Sequence, residues 1–190
     1  MDFNQNRDSG QLWYDDRKWL FDTVRELKPE RAVETGTWMG GGSTFFIASA
    51  LHYNGSGLLI TVESAEAMYR HAVNLYETRW PFLKPYVKFL LGDSETTLPA
   101  ALPAEPLDFI FLDGAQDVEK TRAEYLLLTP RLRIGGILMA HDWYNGKADA
   151  IKQYLENSPN WKLETIGGYG IGGTFEKGTV GMAKATKLLA

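Results

Sequence analysis

The sequence predicts an α/β fold with one doubly wound, mostly parallel sheet of seven strands and an antiparallel hairpin at its C-terminal edge. Apolar runs of strand length alternate five times with stretches of helical periodicity. One of these runs, Leu58–Val62, is apolar throughout apart from Thr61, which is typical of a strand buried on both faces of a parallel sheet. The last two predicted strands, 161–166 and 179–184, have no long helix between them, so we expect them to pair antiparallel.

Each predicted element has a local signal. Between Gln11 and Lys28 the apolar side chains recur at spacings of 7, 4 and 3, which place them on one helix face, and Pro29 ends this helix. The five parallel strands are short apolar runs, each followed by a polar residue: 31–34, 58–62, 87–91, 107–112 and 137–140. Helices are predicted between them at 45–51, 65–79, near Pro99, at 118–128 and at 148–155. We expect Gly135-Gly136 to form a turn that leads into the fifth strand.

Length and composition indicate one globular domain over residues 1–190, with a helical lead-in at 1–29 and a core at 30–185. The net charge of −4 argues against a nucleic-acid partner. The absence of cysteine excludes disulfides, thiolate metal sites and a cysteine nucleophile, and favours a cytoplasmic location. The N-terminus is polar, unlike a secretory signal, and no apolar run approaches the roughly 20 residues that a membrane span needs. We therefore expect no membrane association.

A glycine-rich loop joins the first strand to the second helix, and its charge indicates the ligand. The N–H groups of such a loop and of the following helix attract an anion. A carboxylate at the mouth of the loop, Glu34, repels a pyrophosphate and suits a ligand with an ammonium or sulfonium group. S-adenosylmethionine carries both. We expect its methionine end to be held by Glu34 together with Gly36, Thr37, Gly40 and Ser43.

The other strand ends are also acidic, and ligands of doubly wound sheets bind at the carboxyl ends of the strands. Glu63 ends the second strand, where a carboxylate accepts hydrogen bonds from both ribose hydroxyls of a nucleoside. Its alternative interpretation is a solvated helix start capped by Ser64. Asp93 and Ser94 are expected to reach the adenine edge, and Asp113 to lie under the sulfonium or to bind a metal.

Asp113, His141 and Asp142 form a second group of candidates at the fourth and fifth strand ends. Two carboxylates suit Mg²⁺, which could lower the pKa of an acceptor hydroxyl. His141 could instead act as a general base, since the ordinary pKa of histidine lies near neutrality. In a third interpretation His141 only packs at the strand end while Asp142 caps the following turn. His141 and Asp113 are accordingly the catalytic candidates.

These motifs resemble class I S-adenosylmethionine-dependent methyltransferases, and most of all the small-molecule O-methyltransferases of the catechol type and of cephalosporin and macrolide biosynthesis. The resemblance runs from about Arg31 to Lys184. The residues that carry it are Val33-Glu34-Thr35-Gly36-Thr37, Gly40, Ser43-Thr44, Val62-Glu63, Gly92-Asp93-Ser94, the run 108–114 and the run 135–142. It implies a Rossmann-like sheet whose last strand is antiparallel, S-adenosylmethionine as cofactor, and a hydroxyl of a small molecule as acceptor. It also implies that Mg²⁺, where a member uses it, is bound at the positions of Asp113, His141 and Asp142.

The resemblance is incomplete at the expected base. Related enzymes place a Lys or His about three residues after the aspartate of the fourth strand, where this chain has Gln116. Glutamine cannot take a proton. The base could therefore be His141 or a metal-bound hydroxyl, or the reaction could need little base catalysis. The alternative is a methyltransferase-like protein that binds the cofactor without catalysis, as a scaffold or partner subunit.

Other nucleotide-binding and hydrolytic classes are disfavoured. G-x-G-x-x-G is absent around Gly36, a Walker loop would need a lysine before Ser43, and there is no G-x-S-x-G elbow. The acceptor pocket is expected near Trp38, Trp143, Tyr144 and the glycine-dense segment Gly167–Gly173, and the alternative for these aromatic residues is contact within the core or between subunits. The sequence does not identify the acceptor, and it leaves a homo-oligomer open.

Overall fold

The protein is represented by a computed structural model, which describes Phe3 and the ranges 12–114, 117–144, 146–167 and 181–189. The strands are β1 (Arg31–Thr35), β2 (Leu58–Glu63), β3 (Val87–Leu91), β4 (Leu107–Leu112), β5 (Leu132–His141), β6 (Trp161–Gly167) and β7 (Gly181–Lys187). The α-helices are α1 (Tyr14–Leu27), α2 (Ser43–Asn54), α3 (Glu66–Thr78), α4 (Ser94–Ala101), α5 (Val118–Leu128) and α6 (Asp149–Leu155). Two short 3₁₀ helices lie at Lys84–Tyr86 and Thr129–Arg131.

All seven described strands form one sheet in the order β3-β2-β1-β4-β5-β7-β6. Neighbouring strands from β3 to β5 pair in parallel, and β7 is antiparallel to both β5 and β6. The predicted α/β fold with a mostly parallel sheet and an antiparallel C-terminal hairpin is therefore confirmed. The order of the strands reverses between β1 and β4, which places the ligand crevice of such a fold beyond their carboxyl ends.

The sheet is covered on both faces, as its apolar strands require. Alternate residues of β4 point to opposite sides: Phe109 and Phe111 join the core beneath α1 and α2, while Ile110 and Leu112 join the core beneath α4, α5 and α6. Burying one such side chain contributes about 1.5–3 kcal/mol, so the two cores hold the strand ends in fixed positions. Helix α2 is buried almost all round, which matches its nearly uniform apolar sequence.

Strand β5 differs from the prediction. It begins at Leu132, so Gly135-Gly136 lies inside the strand and does not form a turn before it. Gly135 has φ +75°, and the register between β4 and β5 shifts between Leu107 and Phe109, so the glycine pair accommodates an irregularity in the ladder. None of the helices in the described ranges has the length and apolar character that crossing a membrane requires.

Candidate active site

A cavity of about 620 Å³ opens at the carboxyl ends of β1, β2, β4 and β5. Its volume lies within the range of small-molecule sites, roughly 300–1,000 Å³. The residues that line it are Leu12, Trp13, Gly36, Thr37, Trp38, Gly42, Ser43, Glu63, Ser64, Asp113, Gly114, His141, Asp142 and Lys147. The cavity thus brings together residues from the glycine loop, the ends of four strands and the start of the chain's first helix.

The floor of the cavity depends on Gly36. Its φ is +86°, and a Cβ atom there would lie 2.5 Å from the Cα of Gly114. Only glycine therefore lets the ends of β1 and β4 approach this closely. The Gly36 N–H donates to the carbonyl of Val62 at 3.0 Å, which ties the loop to β2.

Glu63 holds the loop from the side of β2. Its Oε2 accepts a hydrogen bond from the backbone N–H of Trp38 at 2.8 Å, and Trp38 has an unfavourable φ of +47°. Its Oε1 accepts from the N–H of Ala65, just before α3, also at 2.8 Å. Glu63 therefore supports the helix start and also lines the cavity, and each of its oxygens keeps a second lone pair for a ligand hydroxyl.

Glu34 lies beneath the loop, not at its mouth. Its side chain is fully buried, and Oε2 accepts hydrogen bonds from the hydroxyls of Thr44 at 2.6 Å and Thr61 at 2.7 Å. Oε1 has no hydrogen-bond partner among the described residues. Burial raises the pKa of Glu34 to about 7, although the hydroxyls of Ser43, Thr44 and Thr61 act to lower it. The predicted contact of Glu34 with a ligand would therefore be made from below the loop.

The other loop residues that are predicted to bind the cofactor divide into two groups: some line the cavity, and one packs against α3. Thr37 and Ser43 line the cavity, and Ser43 is the first residue of α2, whose N-terminal N–H groups face an incoming ligand. Gly40 is not among the lining residues and packs on α3 instead. A Cβ atom at Gly40 would lie 2.9 Å from the Cβ of Ala72, and the Gly40 carbonyl accepts from the hydroxyl of Tyr76 at 3.2 Å.

Asp93 and Ser94 line a second, narrower space of about 50 Å³. Glu63 lines both this space and the main cavity. Asp93 caps α4 by accepting from the N–H of Glu95 at 2.9 Å. It also pairs with Lys120, which lowers the pKa of Asp93. Lys120 contacts Glu95 at 3.0 Å as well, so its side chain crosses this end of the site.

Glu124, on α5, is a residue of this region that the sequence did not reveal. It is 2% exposed, and burial raises its pKa. Its Oε2 accepts from the hydroxyl of Thr35 at 2.8 Å, and its Oε1 accepts from the hydroxyl of Ser94 at 2.7 Å. Glu124 therefore ties the end of β1 to the start of α4. It is one of several charged residues on α5, and no motif distinguishes it.

His141, at the end of β5, stands among three carboxylates. Its Nδ1 lies 3.4 Å from Oδ1 of Asp113 and 3.5 Å from Oδ1 of Asp142, and its Nε2 lies 3.6 Å from Oδ2 of Asp16. Burial acts to lower the pKa of His141, but the carboxylates outweigh it, Asp113 foremost, and raise the pKa to about 10. The carboxylates thus favour a protonated imidazole at neutral pH, unlike the ordinary histidine pKa on which the expected base role depends, and the catalytic role of His141 stays a prediction.

Lys147, in the loop between β5 and α6, was also missed, because a single lysine in a loop carries no sequence signal. Its Nζ lies 2.9 Å from Oδ1 of Asp113 and 3.1 Å from Oδ2 of Asp142, and it also donates to the carbonyl of Asp113 at 3.3 Å. Burial acts to raise the pKa of Asp113, but His141 and Lys147 together lower it. Asp142 itself has φ +60°, a conformation that is rare for residues other than glycine and common at functional sites.

The first helix closes the cavity from the side of β5. Leu12 and Trp13 line it, and Asp16 is fully buried with no hydrogen-bond partner for either carboxylate oxygen among the described residues. Of the aromatic residues expected around the acceptor, Trp38 lines the cavity and Trp143 is buried in the core.

The hydroxyl of Tyr144 contacts that of Thr165 at 3.1 Å, and Tyr144 is not among the residues that line the cavity. Gln116 and the glycine segment beyond Gly167 lie outside the described residues.

Comparison with solved structures finds several methyltransferases with the same fold. An O-methyltransferase from Bacillus cereus in complex with SAH has a TM-score of 0.74 and 22% identity, covering 93% of this chain and 82% of that one. The O-methyltransferase TomG of Streptomyces achromogenes, involved in tomaymycin synthesis and in complex with SAM, has a TM-score of 0.74 and 19% identity, with coverage of 94% and 82%. An rRNA methylase from Streptococcus thermophilus has a TM-score of 0.65 and 14% identity, with coverage of 89% and 94%. At these identities the likeness shows the fold alone.

A search among curated protein sequences returns no match. A sequence profile described as a methyltransferase domain matches residues 33–143, which is more than half of the chain. The matched segment begins in β1 and includes the glycine loop, Glu63, Asp113, His141 and Asp142, which line the cavity, whereas the cavity residues Leu12, Trp13 and Lys147 lie outside the matched segment. The chain therefore belongs to the methyltransferase domain family.

Proposed function

We propose that this methyltransferase binds S-adenosylmethionine in the cavity and transfers its methyl group to an oxygen atom of a small molecule. The observation that carries the proposal is the set of groups that line one cavity: the N-terminus of α2, the acidic cluster at Asp113, and Glu63. These groups suit, respectively, the carboxylate, the sulfonium and the ribose of that cofactor. The bound SAH and SAM named for the Bacillus cereus and Streptomyces achromogenes structures support the same choice.

The residues present fit this cofactor. The N–H groups at the start of α2 suit the methionine carboxylate, and the unpartnered Oε1 of Glu34 is a buried acceptor that a positive ammonium above the loop would compensate. Glu63 suits the two ribose hydroxyls. The narrower space lined by Asp93 and Ser94 suits the adenine edge, and Lys120 would have to move as the base enters, since this space is narrow.

When bound, S-adenosylmethionine supplies a methyl group on a positively charged sulfur. The cluster beside the cavity suits such a charge, because among the described residues the carboxylates of Asp16, Asp113 and Asp142 face two cations, His141 and Lys147. The remaining negative charge attracts a cation. Asp113 lines the cavity next to Gly36 and Gly114, where it would lie close to the sulfonium.

The acceptor side has cations in place of a base. An acceptor hydroxyl would release its proton to solvent water, and Lys147 and His141, which both line the cavity, would stabilise the negative charge left on its oxygen. His141 thereby acts as a fixed positive charge, because its pKa of about 10 keeps it protonated. The indole rings of Trp13 and Trp38 offer apolar contact to the acceptor. A single cavity of about 620 Å³ that receives both reactants favours a small acceptor, and the net charge of −4 disfavours nucleic acid.

Calorimetric titration with S-adenosylmethionine tests the cofactor assignment. Glu63→Ala is expected to weaken binding by about 1–3 kcal/mol, because it removes charge-assisted hydrogen bonds to the ribose. Glu77→Ala, which removes an exposed carboxylate of α3 that pairs with Lys84, is the matched control and should bind as the wild type does. Unchanged affinity in folded Glu63→Ala would contradict the assignment of Glu63 to the ribose.

Turnover tests the transfer itself. Radiolabelled S-adenosylmethionine is incubated with the chain and a panel of phenols, catechols and sugars, and labelled methyl ethers are sought in the products. Transfer to oxygen in at least one acceptor is expected. Tight cofactor binding without transfer to any acceptor would instead favour the alternative of a cofactor-binding scaffold or partner subunit.

A further inference from the structure

We propose that the ammonium group of Lys147 takes the place of a divalent metal ion in this active site, so that the enzyme needs no metal and carries a latent metal site beneath the lysine. The inference about catalysis rests on the proposed methyl transfer, whereas the inference about the latent site rests on the geometry of the cluster alone.

The side chains around Lys147 are those of a metal site. Asp113, His141 and Asp142 each offer a ligand atom, and these three atoms lie within 4.8 Å of one another. Two carboxylates and the nitrogen of a neutral imidazole are an acceptable ligand set for Mg²⁺ or Mn²⁺, so a bound ion would have to displace a proton from His141. The far nitrogen of His141, Nε2, faces the buried carboxylate of Asp16 at 3.6 Å. A carboxylate behind a histidine is the usual support of a metal ligand.

Two of these three ligands, the carboxylates of Asp113 and Asp142, are already paired with a cation. Lys147 reaches one oxygen of each carboxylate, at 2.9 Å on Asp113 and 3.1 Å on Asp142, and its side chain is only 11% exposed. A third contact, to the carbonyl of Asp113 at 3.3 Å, fixes the ammonium there. A metal ion that bound the same two carboxylates would have to displace this group or lie beside it, and two adjacent cations repel each other. The residues present therefore do not fit a divalent ion while Lys147 keeps this position.

The charge balance favours the lysine over the metal. Asp16, Asp113 and Asp142 together carry three negative charges, and Lys147 and the protonated His141 return two, which leaves one negative charge toward the expected sulfonium. A divalent ion added beside the lysine would cancel that charge even after His141 loses its proton, and would remove the attraction for a cationic cofactor. Lysine offers the acceptor oxygen a compact positive charge with rotatable donors, and so supplies part of the electrostatic stabilisation that a metal would give.

Titration with Mn²⁺, followed by the electron paramagnetic resonance signal of the free ion, tests the latent site without cofactor or acceptor. The wild type is expected to leave Mn²⁺ free. Lys147→Ala should bind Mn²⁺ at least about tenfold more tightly, because the ammonium group no longer occupies the carboxylates of Asp113 and Asp142. Lys147→Arg keeps a cation in the cluster and should behave as the wild type. Lys84→Ala, which removes a lysine far from the cavity, is the control for overall charge.

The outcomes separate the possibilities. Loss of Mn²⁺ binding in the double variant Lys147→Ala with Asp142→Asn would assign the ion to this cluster. Mn²⁺ binding by the wild type as tight as by Lys147→Ala would overturn the proposal, and so would a folded Lys147→Ala that binds no Mn²⁺. If that variant does not fold, the wild-type titration still decides, because tight binding by the wild type contradicts the lysine's role.

Activity gives a second readout once an acceptor is known. The rate of the wild type is expected to be the same in excess chelator and in added Mg²⁺. A rate that falls with chelator and returns with Mg²⁺ would overturn metal independence while leaving methyl transfer intact. A chain that transfers no methyl group would overturn the proposed function and leave the Mn²⁺ result standing.

Discussion

Replacing Glu34 with glutamine is expected to stabilise the cofactor-free protein above neutral pH. The carboxylate is fully buried, and only its Oε2 is hydrogen-bonded among the described residues, by the hydroxyls of Thr44 and Thr61. The carbonyl oxygen of glutamine can accept the same two hydrogen bonds, while its amide nitrogen takes the place of the unpartnered Oε1. The variant therefore removes a buried charge and keeps the local contacts.

The size of the effect follows from the pKa. Burial raises the pKa of Glu34 from its ordinary value of 4.5 to about 7, a difference that corresponds to about 3 kcal/mol at 1.36 kcal/mol per pH unit. Below pH 4.5 the residue is protonated in both the folded and the unfolded chain, so it carries no penalty. Between pH 4.5 and about 7 the unfolded chain releases the proton first, and the free energy of unfolding falls. Above this range the whole penalty is present, and the glutamine variant avoids it.

The groups that face Glu34 do not obscure this effect. The hydroxyls of Ser43, Thr44 and Thr61 do not titrate in this range. Asp113, which also acts on Glu34, has a lowered pKa, and the pKa of the buried Tyr76 is raised well above 10. Wild type and variant differ in their free energy of unfolding, and the change in this difference between pH 4.5 and 7 is therefore assigned to Glu34.

Urea unfolding of the wild type and Glu34→Gln at pH 4.5 and pH 8 measures the prediction. The variant's advantage in the free energy of unfolding should grow by about 3 kcal/mol between the two pH values. Glu105→Gln, at an exposed position, controls for the loss of one charge and should show no comparable change. An advantage of equal size at both pH values, or a variant that is less stable than the wild type at pH 8, would refute the reasoning.

Two further predictions concern the supports of the cavity. Gly36→Ala should lower the free energy of unfolding by more than the roughly 1–3 kcal/mol of backbone strain, because its Cβ would also meet Gly114. Gly55 also has a positive φ, +75°, but no atom lies within 4 Å of the Cβ that Gly55→Ala would add, so this variant measures the backbone strain alone. Equal losses of unfolding free energy in the two variants, measured in urea, would contradict a cost from the close approach of Gly36 to Gly114. Glu124→Ala should cost about 1–3 kcal/mol, because it leaves the buried hydroxyl of Thr35 without its acceptor, and an unchanged melting temperature would argue against that support.

The sequence predicted the position of several elements well. Strands β3 and β4 and helix α5 have the predicted bounds, because mostly apolar runs of strand length and a helical period mark these segments. Strand β5 extends further back than predicted, because Gly135-Gly136 is used for an irregularity in the ladder, whereas in a sequence it is indistinguishable from a turn. The single-domain boundaries at 1–29 and 30–185 stay a prediction.

The cavity could be predicted only in part. The rule that ligands bind at strand ends places Glu63, Asp113 and His141 together, since chain order fixes where parallel strands end. The same rule does not say which way a side chain points. The position of Glu34, buried below the loop, could therefore not be predicted from it.

Lys147 and Asp16 come from a loop and from the first helix. Their approach to His141 and Asp113 depends on how these segments pack in the folded chain, which no local pattern encodes. The arrangement of charges around His141 and Asp113, on which the proposed role of the two cations depends, is therefore visible only in the structure.

A crystal structure of the chain with S-adenosylhomocysteine tests the central claim most directly. The account predicts the ribose hydroxyls within hydrogen-bond distance of Glu63, the carboxylate of the ligand at the start of α2 near Ser43, and its sulfur beside Asp113. Binding of the ligand outside this cavity, or with the ribose hydroxyls away from Glu63, would contradict it.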